Sequence, residues 1–176
     1  LRELRKSNNV FLWQQEHSDA FEALKSHIVN SDTVLALFDP SRPTRLETDA
    51  SRLNGLGFVL RQLHEDSWRI VQCGSRFLTD AETRYAVIEL ELLALVWATK
   101  KLHVYLFGLE NYEVLLDHAP LIPILNKYSL NAIENPRLLR LREKIQAYNF
   151  TAFHIKGKDN FILSLIHISE PTRQPI

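Results

Sequence analysis

The sequence predicts an α/β fold built on a mixed sheet. Three strand-like segments come first, a long apolar helix follows, and a strand, further helices and a last strand complete the order. The first three strands are separated only by short turns, which is typical of an antiparallel meander. Strands that alternate with helices after such a meander are typical of α+β or α/β folds with one mixed sheet.

The strands are predicted from runs in which apolar and polar residues alternate. Asn54-Gly55 and the polar stretch His64–Ser67 provide the two turns of the meander. The five predicted strands are Thr44–Asp49, Gly55–Gln62, Trp68–Ser75, Tyr112–Asp117 and Phe150–Lys156.

The helices are predicted from apolar residues at helical spacing. The longest covers about residues 80–105, and shorter ones cover about 120–125 and 135–148. Upstream of the sheet, Ser18 is predicted to be the N-cap of another helix, because apolar residues recur every three or four positions after it. The turn-forming stretch 39–43 then separates that helix from the first strand.

Length and composition limit the kind of protein. The 176 residues suit one domain with an extension, and Lys plus Arg equals Asp plus Glu at 21 each. A nucleic acid would therefore have to meet a local basic patch. The single cysteine, Cys73, excludes an internal disulfide and a thiolate zinc site, and it is predicted to fill the core. No membrane span or signal peptide is expected, and the absence of methionine indicates a piece of a longer reading frame.

Three carboxylates are the candidate catalytic residues. Asp49 and Asp117 close two strands of similar alternation, and Glu91 lies within the long helix between them. Carboxylates that come together repel unless cations hold them, and Mg²⁺ prefers oxygen ligands. The pattern therefore indicates a metal-dependent nuclease. Two aspartates that simply begin turns remain the alternative, and Glu82 and Glu89 compete with Glu91 for the helix position.

Neighbouring residues refine this expectation. Ala94 and Ala98 would let the long helix approach the sheet closely, so that Glu91 points toward the strands. Strand alternation places Glu47 on the same face as Asp49, one pleat earlier. We nevertheless predict that neither Glu47 nor Glu89 is a metal ligand.

Basic and imidazole side chains are further candidates. Arg137, Arg140 and Lys144 form a predicted basic stripe that could contact phosphates, although such a run is also what a solvated helix face shows. His118 directly follows Asp117 and could reach the site, but a structural role is favoured for it, and His154 is expected to be a packing residue.

Ordered sequence blocks connect the chain with a known family. It resembles the ribonuclease H domain of gypsy-type LTR retrotransposon reverse transcriptases from about Leu1 to Ile162, including an upstream segment that resembles the link from the polymerase. The blocks are Phe11-Leu12-Trp13, Leu46-Glu47-Thr48-Asp49-Ala50-Ser51, Gly55-Leu56-Gly57-Phe58-Val59-Leu60-Arg61-Gln62, Ser75-Arg76-Phe77-Leu78-Thr79, Glu89-Leu90-Glu91-Leu92-Leu93, Leu116-Asp117-His118-Ala119-Pro120-Leu121 and Asn135-Pro136-Arg137-Leu138.

The resemblance implies a ribonuclease H-like fold, a five-stranded mixed sheet flanked by helices. It also implies cleavage of the RNA strand of an RNA–DNA hybrid with two Mg²⁺ ions, or with Mn²⁺ in their place. Asp49, Glu91 and Asp117 match three of the family's four metal-binding carboxylates, and the second glutamate of the Glu-Leu-Glu-Leu-Leu motif is the ligand, which favours Glu91 over Glu89. The implied partners are the hybrid and the polymerase and integrase portions of a parent polyprotein, and the implied location is a cytoplasmic retroelement particle that can enter the nucleus.

The end of the chain departs from the family. The fourth carboxylate belongs to an Ala-Asp-Ala-Leu-Ser-Arg motif that is absent here, and Asp159 does not occupy its position. Leu163–Arg173 matches the translation of a transposase-end sequencing adapter, with a divergent C-terminus as the alternative. We therefore expect a connecting segment at 1–43, a truncated ribonuclease H-like domain at 44–162 without its final helix, and an artefactual tail at 163–176.

Two other functions remain open at this point. Loss of the fourth carboxylate would also fit a decayed or domesticated module that binds nucleic acid or protein without cutting. An integrase of the same fold is disfavoured, because the chain has no His/Cys zinc module and its blocks around the carboxylates follow the ribonuclease H pattern. No Tyr-x-Asp-Asp polymerase motif occurs.

Overall fold

The computed structural model describes residues 12–29, 35–53 and 55–156. The chain divides into two compact units, Leu1–Leu35 and Ala36–Ile176. None of the described helices is long and apolar enough to cross a membrane. The adapter-like tail, the expected absence of a final helix and the turn residue Asn54 lie outside the described residues.

The first unit contains helix α1, Gln15–Val29. It begins before Ser18, so the prediction that Ser18 is the N-cap was wrong. The Ser18 hydroxyl instead accepts a hydrogen bond of 2.8 Å from the Trp13 indole N–H. The N–H of Gln14 is satisfied by the His17 ring nitrogen at 3.0 Å, which gives the start of the helix a partner that apolar spacing does not reveal.

The second unit is built on a five-stranded sheet in the order β3-β2-β1-β4-β5. Its strands are β1 (Thr44–Ser51), β2 (Gly55–His64), β3 (Ser67–Arg76), β4 (Tyr112–Leu116) and β5 (Phe150–His154). The pairs β1–β2 and β2–β3 are antiparallel, and β1–β4 and β4–β5 are parallel. The mixed sheet predicted from the sequence is confirmed.

The described part of the second unit contains four α-helices. They are joined to the strands in the order α2 (Val87–Lys101), α3 (His103–Leu106), α4 (Leu121–Asn126) and α5 (Pro136–Glu143). Helix α5 begins where predicted, because the Asn135 side chain caps it by accepting from the N–H groups of Arg137 and Leu138 at 2.8 and 3.2 Å.

The long helix begins later than predicted. Residues 82–84 form a 3-10 turn, because the Glu82 carboxylate accepts from the N–H of Thr79 at 2.8 Å and from the Arg76 guanidinium. Ala86 is then extended, and its N–H donates to the Glu89 carboxylate at 3.0 Å. That contact fixes the first turn of α2 at Val87.

The core lies between the sheet and α2. Leu92, Ala94, Leu95 and Ala98 of α2 are fully buried in it, so the small side chains do permit the predicted close approach. Cys73, predicted to fill the core, is exposed. Strand alternation explains the difference: Gly74 lies against the core residue Phe58, so its neighbour Cys73 points to the other face of β3.

Candidate active site

The two aspartates are positioned by neighbouring parallel strands. Strands β1 and β4 pair with Glu47 opposite Leu115, and the same register two residues further on aligns Asp49 with Asp117. Asp49 lies near the end of β1 and is 7% exposed, whereas Asp117 follows the last residue of β4 directly. Carboxyl ends of adjacent parallel strands meet at one edge of a sheet, which is where ligands bind in open α/β sheets.

Helix α2 brings Glu91 to the same edge. The helix packs on β1, and Glu91 lies in its second turn with 5% of its surface exposed. Both aspartates act on Glu91 electrostatically, and so does the backbone N–H of Ala50 in β1. The three carboxylates proposed from the sequence therefore form one interacting group, referred to here as the carboxylate triad (Asp49, Glu91 and Asp117).

Burial and mutual repulsion make the charged forms of Asp49 and Glu91 in the triad unfavourable. Burial, followed by the charges of Asp49 and Asp117, raises the pKa of Glu91 to about 8, against a small opposing effect of the Ala50 hydrogen bond. Burial also raises the pKa of Asp49, and Asp117 adds to that effect. The Oε2 atom of Glu91 is buried and has no hydrogen-bond partner among the described residues. A buried carboxylate oxygen without a partner is costly unless a proton or a cation meets it.

The donor set of the triad fits a hard divalent cation. Carboxylate oxygens are the ligands that Mg²⁺ and Mn²⁺ prefer, and the unpartnered Glu91 oxygen is an available donor atom. The side chains do not form a closed cage: within residues 12–29, 35–53 and 55–156, no three His, Cys, Asp or Glu side chains stand close enough to hold one ion by themselves. Mg²⁺ often completes its octahedron with water and substrate phosphate, so an open ligand set is compatible with it.

The competing glutamates have other partners. The Glu89 carboxylate accepts hydrogen bonds from the Ala86 N–H at 3.0 Å, from Asn135 at 3.2 Å and from Arg137 at 2.8 Å. Burial raises the pKa of Glu89, but these hydrogen bonds outweigh it and lower that pKa overall. Glu47 is 1% exposed and lies 3.0 Å from the Arg61 guanidinium.

A histidine that sequence reasoning assigned to packing lies beside the triad. His154 ends β5, 41% of its side chain is exposed, and its Nε2 atom is 3.9 Å from the nearer Asp117 carboxylate oxygen. Parallel pairing of β4 with β5 sets Leu116 opposite His154 and so produces the approach. The only sequence signal was a polar residue at or just after the end of each strand, and the sequence did not show that the two strands are neighbours.

The three basic residues proposed for nucleic-acid contact have different surroundings. Arg137 forms the ion pair with Glu89 and stacks 4.0 Å from the centre of the Tyr85 ring. Arg140 donates to the carbonyl of Pro136 at 3.1 Å, within its own helix. Lys144 is exposed and lies beyond the end of α5. They are therefore not one uniform stripe, and their contact with nucleic acid stays a prediction.

The fold and the triad together describe a ribonuclease H-like domain. Residues 13–114 match the family described as the RNase H-like domain found in reverse transcriptase. The chain belongs to that family.

Relatives of similar sequence are retrotransposon polyproteins. The chain is 35% identical to the retrovirus-related Pol polyprotein from transposon 412 of Drosophila melanogaster, over 95% of this chain and 13% of that protein. It is 38% identical to the corresponding polyprotein from Drosophila transposon 297, over 95% of this chain and 15% of that protein. It is 33% identical to the polyprotein from Drosophila transposon gypsy, over 85% of this chain and 14% of that protein. The chain thus spans about one seventh of the length of the curated relatives it matches.

Solved structures share the fold at low sequence identity. A foamy viral protease-reverse transcriptase in complex with an RNA/DNA hybrid superposes with a TM-score of 0.56 at 17% identity, covering 97% of this chain and 22% of that one. The RNase H1 named LC11, also in complex with an RNA/DNA hybrid, gives a TM-score of 0.50 at 16% identity, covering 69% and 91%. These likenesses confirm the ribonuclease H-like fold.

Proposed function

We propose that this domain cleaves the RNA strand of RNA–DNA hybrids by metal-dependent phosphodiester hydrolysis. The observation that carries the proposal is the carboxylate triad, in which three buried or half-buried acids from β1, α2 and β4 repel one another at one sheet edge. Packing alone does not explain this unfavourable repulsion, since apolar side chains would fill the same space more favourably.

The triad would hold the metal ions. When bound, two divalent cations supply positive charge to the attacking and leaving oxygens of the phosphodiester. Asp49, Glu91 and Asp117 are the proposed ligands, and the repulsion among them keeps Glu91 able to exchange its proton for a cation. His154 places an imidazole beside Asp117 at the rim of the site.

The proposed partners follow from the relatives. Two of the matching structures are described as complexes with an RNA/DNA hybrid, and the similar sequences are Pol polyproteins. We therefore take the hybrid as the substrate, and the polymerase and integrase portions of a parent polyprotein as the covalent neighbours of this domain.

A cleavage assay tests the proposal. A fluorescent RNA–DNA hybrid would be incubated with Mg²⁺ and a chain whose Ala-Asp-Ala-Leu-Ser-Arg ending is restored after Ile162. Asp49→Asn, Glu91→Gln and Asp117→Asn should each lower the rate by at least about 10²-fold, as loss of a key transition-state contact does. Glu134→Gln, at an exposed residue, is the matched control and should retain full activity. Cleavage that survives all three triad substitutions would contradict the proposal.

A module that binds without cutting is the second candidate. The missing fourth carboxylate motif favours it for this sequence. The same assay separates the two functions. If the domain only binds, the restored chain binds the hybrid but shows no Mg²⁺-dependent product.

A further inference from the structure

A groove outside the carboxylate triad combines cations with aromatic rings. It lies between α2, the end of β3 and the segment after α5, and its cavity volume is about 500 Å³. That volume falls within the range of small-molecule sites, roughly 300–1,000 Å³. Its polar and aromatic lining residues are Arg76, Trp97, Lys100, Lys144 and Tyr148. This set of five residues is called the basic groove below.

The basic groove is separate from the triad. Lys100 lies nine residues beyond Glu91 on α2, which at 3.6 residues per turn places it on the opposite side of the helix axis. Glu91 faces the sheet edge and is buried, whereas Lys100 is exposed. A ligand in the groove would therefore contact the outer side of α2 and leave the triad untouched.

The positive charge of the basic groove comes from its two lysines, because Arg76 is already paired with Glu82. Glu82 forms two hydrogen bonds with Arg76, at 2.7 and 2.8 Å, and these lower the pKa of Glu82 to about 2. The pair neutralises Arg76. Neither Lys100 nor Lys144 forms an ion pair with any described residue, so two exposed ammonium groups from different elements flank the opening.

Aromatic rings line the same opening in fixed positions. The Trp97 ring is half-buried, 5.1 Å from the ring of the core residue Phe58 and 5.6 Å from the Arg76 guanidinium. Tyr148 is held by a 2.7 Å hydrogen bond between its hydroxyl and the Nδ1 atom of His103. Rings fixed in this way cost little entropy when a flat group stacks on them.

We propose that the basic groove binds a single-stranded nucleic acid segment, with Lys100 and Lys144 on its phosphates and Trp97 and Tyr148 beside its bases. A cationic groove with interleaved aromatic side chains is the chemistry that recognises single strands without sequence preference. An acidic peptide would satisfy the lysines but would leave the rings without flat partners. The inference does not rest on hybrid cleavage, because binding at this groove needs neither the triad nor a metal ion.

Fluorescence anisotropy in EDTA tests the charge part of the proposal. The probe is a labelled oligothymidylate of about 12 nucleotides, and the protein is the full chain. The pair Lys100→Gln with Lys144→Gln should weaken binding roughly 10- to 30-fold at about 0.1 M salt and lower the log–log salt slope by about 1.4, the value for two lost single-strand phosphate contacts. The control pair Arg69→Gln with Lys127→Gln removes two exposed cations elsewhere and should change affinity less than about twofold.

Tryptophan emission tests the aromatic part. The chain has three tryptophans, Trp13, Trp68 and Trp97. Quenching on addition of the oligonucleotide should be mostly lost in Trp97→Phe and retained in Trp68→Phe, with circular dichroism confirming that both variants are folded. Equal loss of affinity in the groove pair and the control pair would overturn the proposal. Displacement of the strand by polyglutamate as efficiently as by unlabelled oligonucleotide, or an effect of the groove pair on duplex binding alone, would overturn it as well.

Discussion

At the scale of single residues, the main finding is that two glutamates two positions apart have opposite environments. Glu91 is buried beside Asp49 and Asp117 with an unpartnered oxygen, and its pKa is raised to about 8. Glu89 accepts three hydrogen bonds, one of them from Arg137, and its pKa is lowered. The environment of Glu91 favours exchange of its proton for a cation, whereas the environment of Glu89 stabilises a charged carboxylate with a structural role.

Glu91 should make the metal-free protein less stable as the pH rises. Its carboxyl has an ordinary pKa of 4.5 in the unfolded chain and about 8 in the folded one, so the folded state holds an extra proton between these values. The stability lost by ionising the buried Glu91 carboxyl is absent below pH 4.5. It grows between pH 4.5 and about 8 and is complete above about pH 8. Glu91→Gln should therefore raise the free energy of unfolding by a few kcal/mol at pH 8, with the gain vanishing toward pH 4.5.

Urea titrations in EDTA at several pH values measure this difference. The exposed Glu134→Gln is the matched control, because it removes one carboxylate and should leave the pH dependence as in the parent chain. A stability gain for Glu91→Gln that is the same at low and high pH would show that burial does not raise this pKa.

Glu89 should act through its contact with Arg137 rather than through catalysis. The carboxylate is 6% exposed, and the ion pair of 2.8 Å links the first turn of α2 to the first turn of α5. Glu89→Gln and Arg137→Ala should each lower the free energy of unfolding by about 1–3 kcal/mol, the range for hydrogen bonds to charged groups. A double-mutant cycle should give a coupling energy of about 1 kcal/mol or more. Additive losses would mean that the pair contributes nothing specific.

At the scale of secondary-structure elements, the start of β2 is tightly constrained by the neighbouring strand. Gly55 opens β2 with a φ of 93°, and a Cβ atom there would lie 2.1 Å from the carbonyl oxygen of Arg76 in β3. The position therefore demands glycine twice, for its backbone conformation and for the close approach of the neighbouring strand.

Comparison of two glycines separates these demands. Gly108 has a similar φ of 86°, but a Cβ atom would meet no atom within 4 Å. Gly108→Ala should thus cost only about 1–2 kcal/mol, the left-handed backbone penalty. Gly55→Ala should cost at least about 2 kcal/mol more, because the Arg76 carbonyl cannot move without breaking strand pairing. Thermal and urea denaturation measure the stability of both variants. Equal losses of stability would mean that β3 moves away from the new Cβ atom at little cost.

At the scale of the whole molecule, the sequence lacks one motif that the family resemblance predicts. The three triad positions are present, whereas the family's fourth carboxylate motif is absent. One metal would lack a ligand in that case, so the printed chain should cut the hybrid weakly or not at all. Restoring the Ala-Asp-Ala-Leu-Ser-Arg ending after Ile162 should recover Mg²⁺-dependent cleavage, by at least about 10²-fold at equal folded concentration. Equally strong activity in both chains would show that the fourth carboxylate is not needed.

Much of the architecture was determined by local patterns. Alternation set the five strands, and the Asn135 cap set the start of α5, because both depend on neighbours within a few residues. The spacing of apolar residues also identified α2, but it placed the helix start several residues early. Apolar periodicity cannot show that the Glu82 carboxylate is held by Arg76 of another element and that residues 82–84 therefore form a separate turn.

The sequence by itself determined the kinds of element, the family and the three candidate acids, since these follow from residue type and short-range order. Only the tertiary structure decided which groups meet. The parallel pairing of β1, β4 and β5 brings His154 to Asp117. Cys73 is exposed because it lies on the outer face of β3. The α2–α5 approach assigns Arg137 to Glu89 and opens the basic groove. Such contacts join residues tens of positions apart, and their distances depend on strand order and helix packing, which no local pattern encodes.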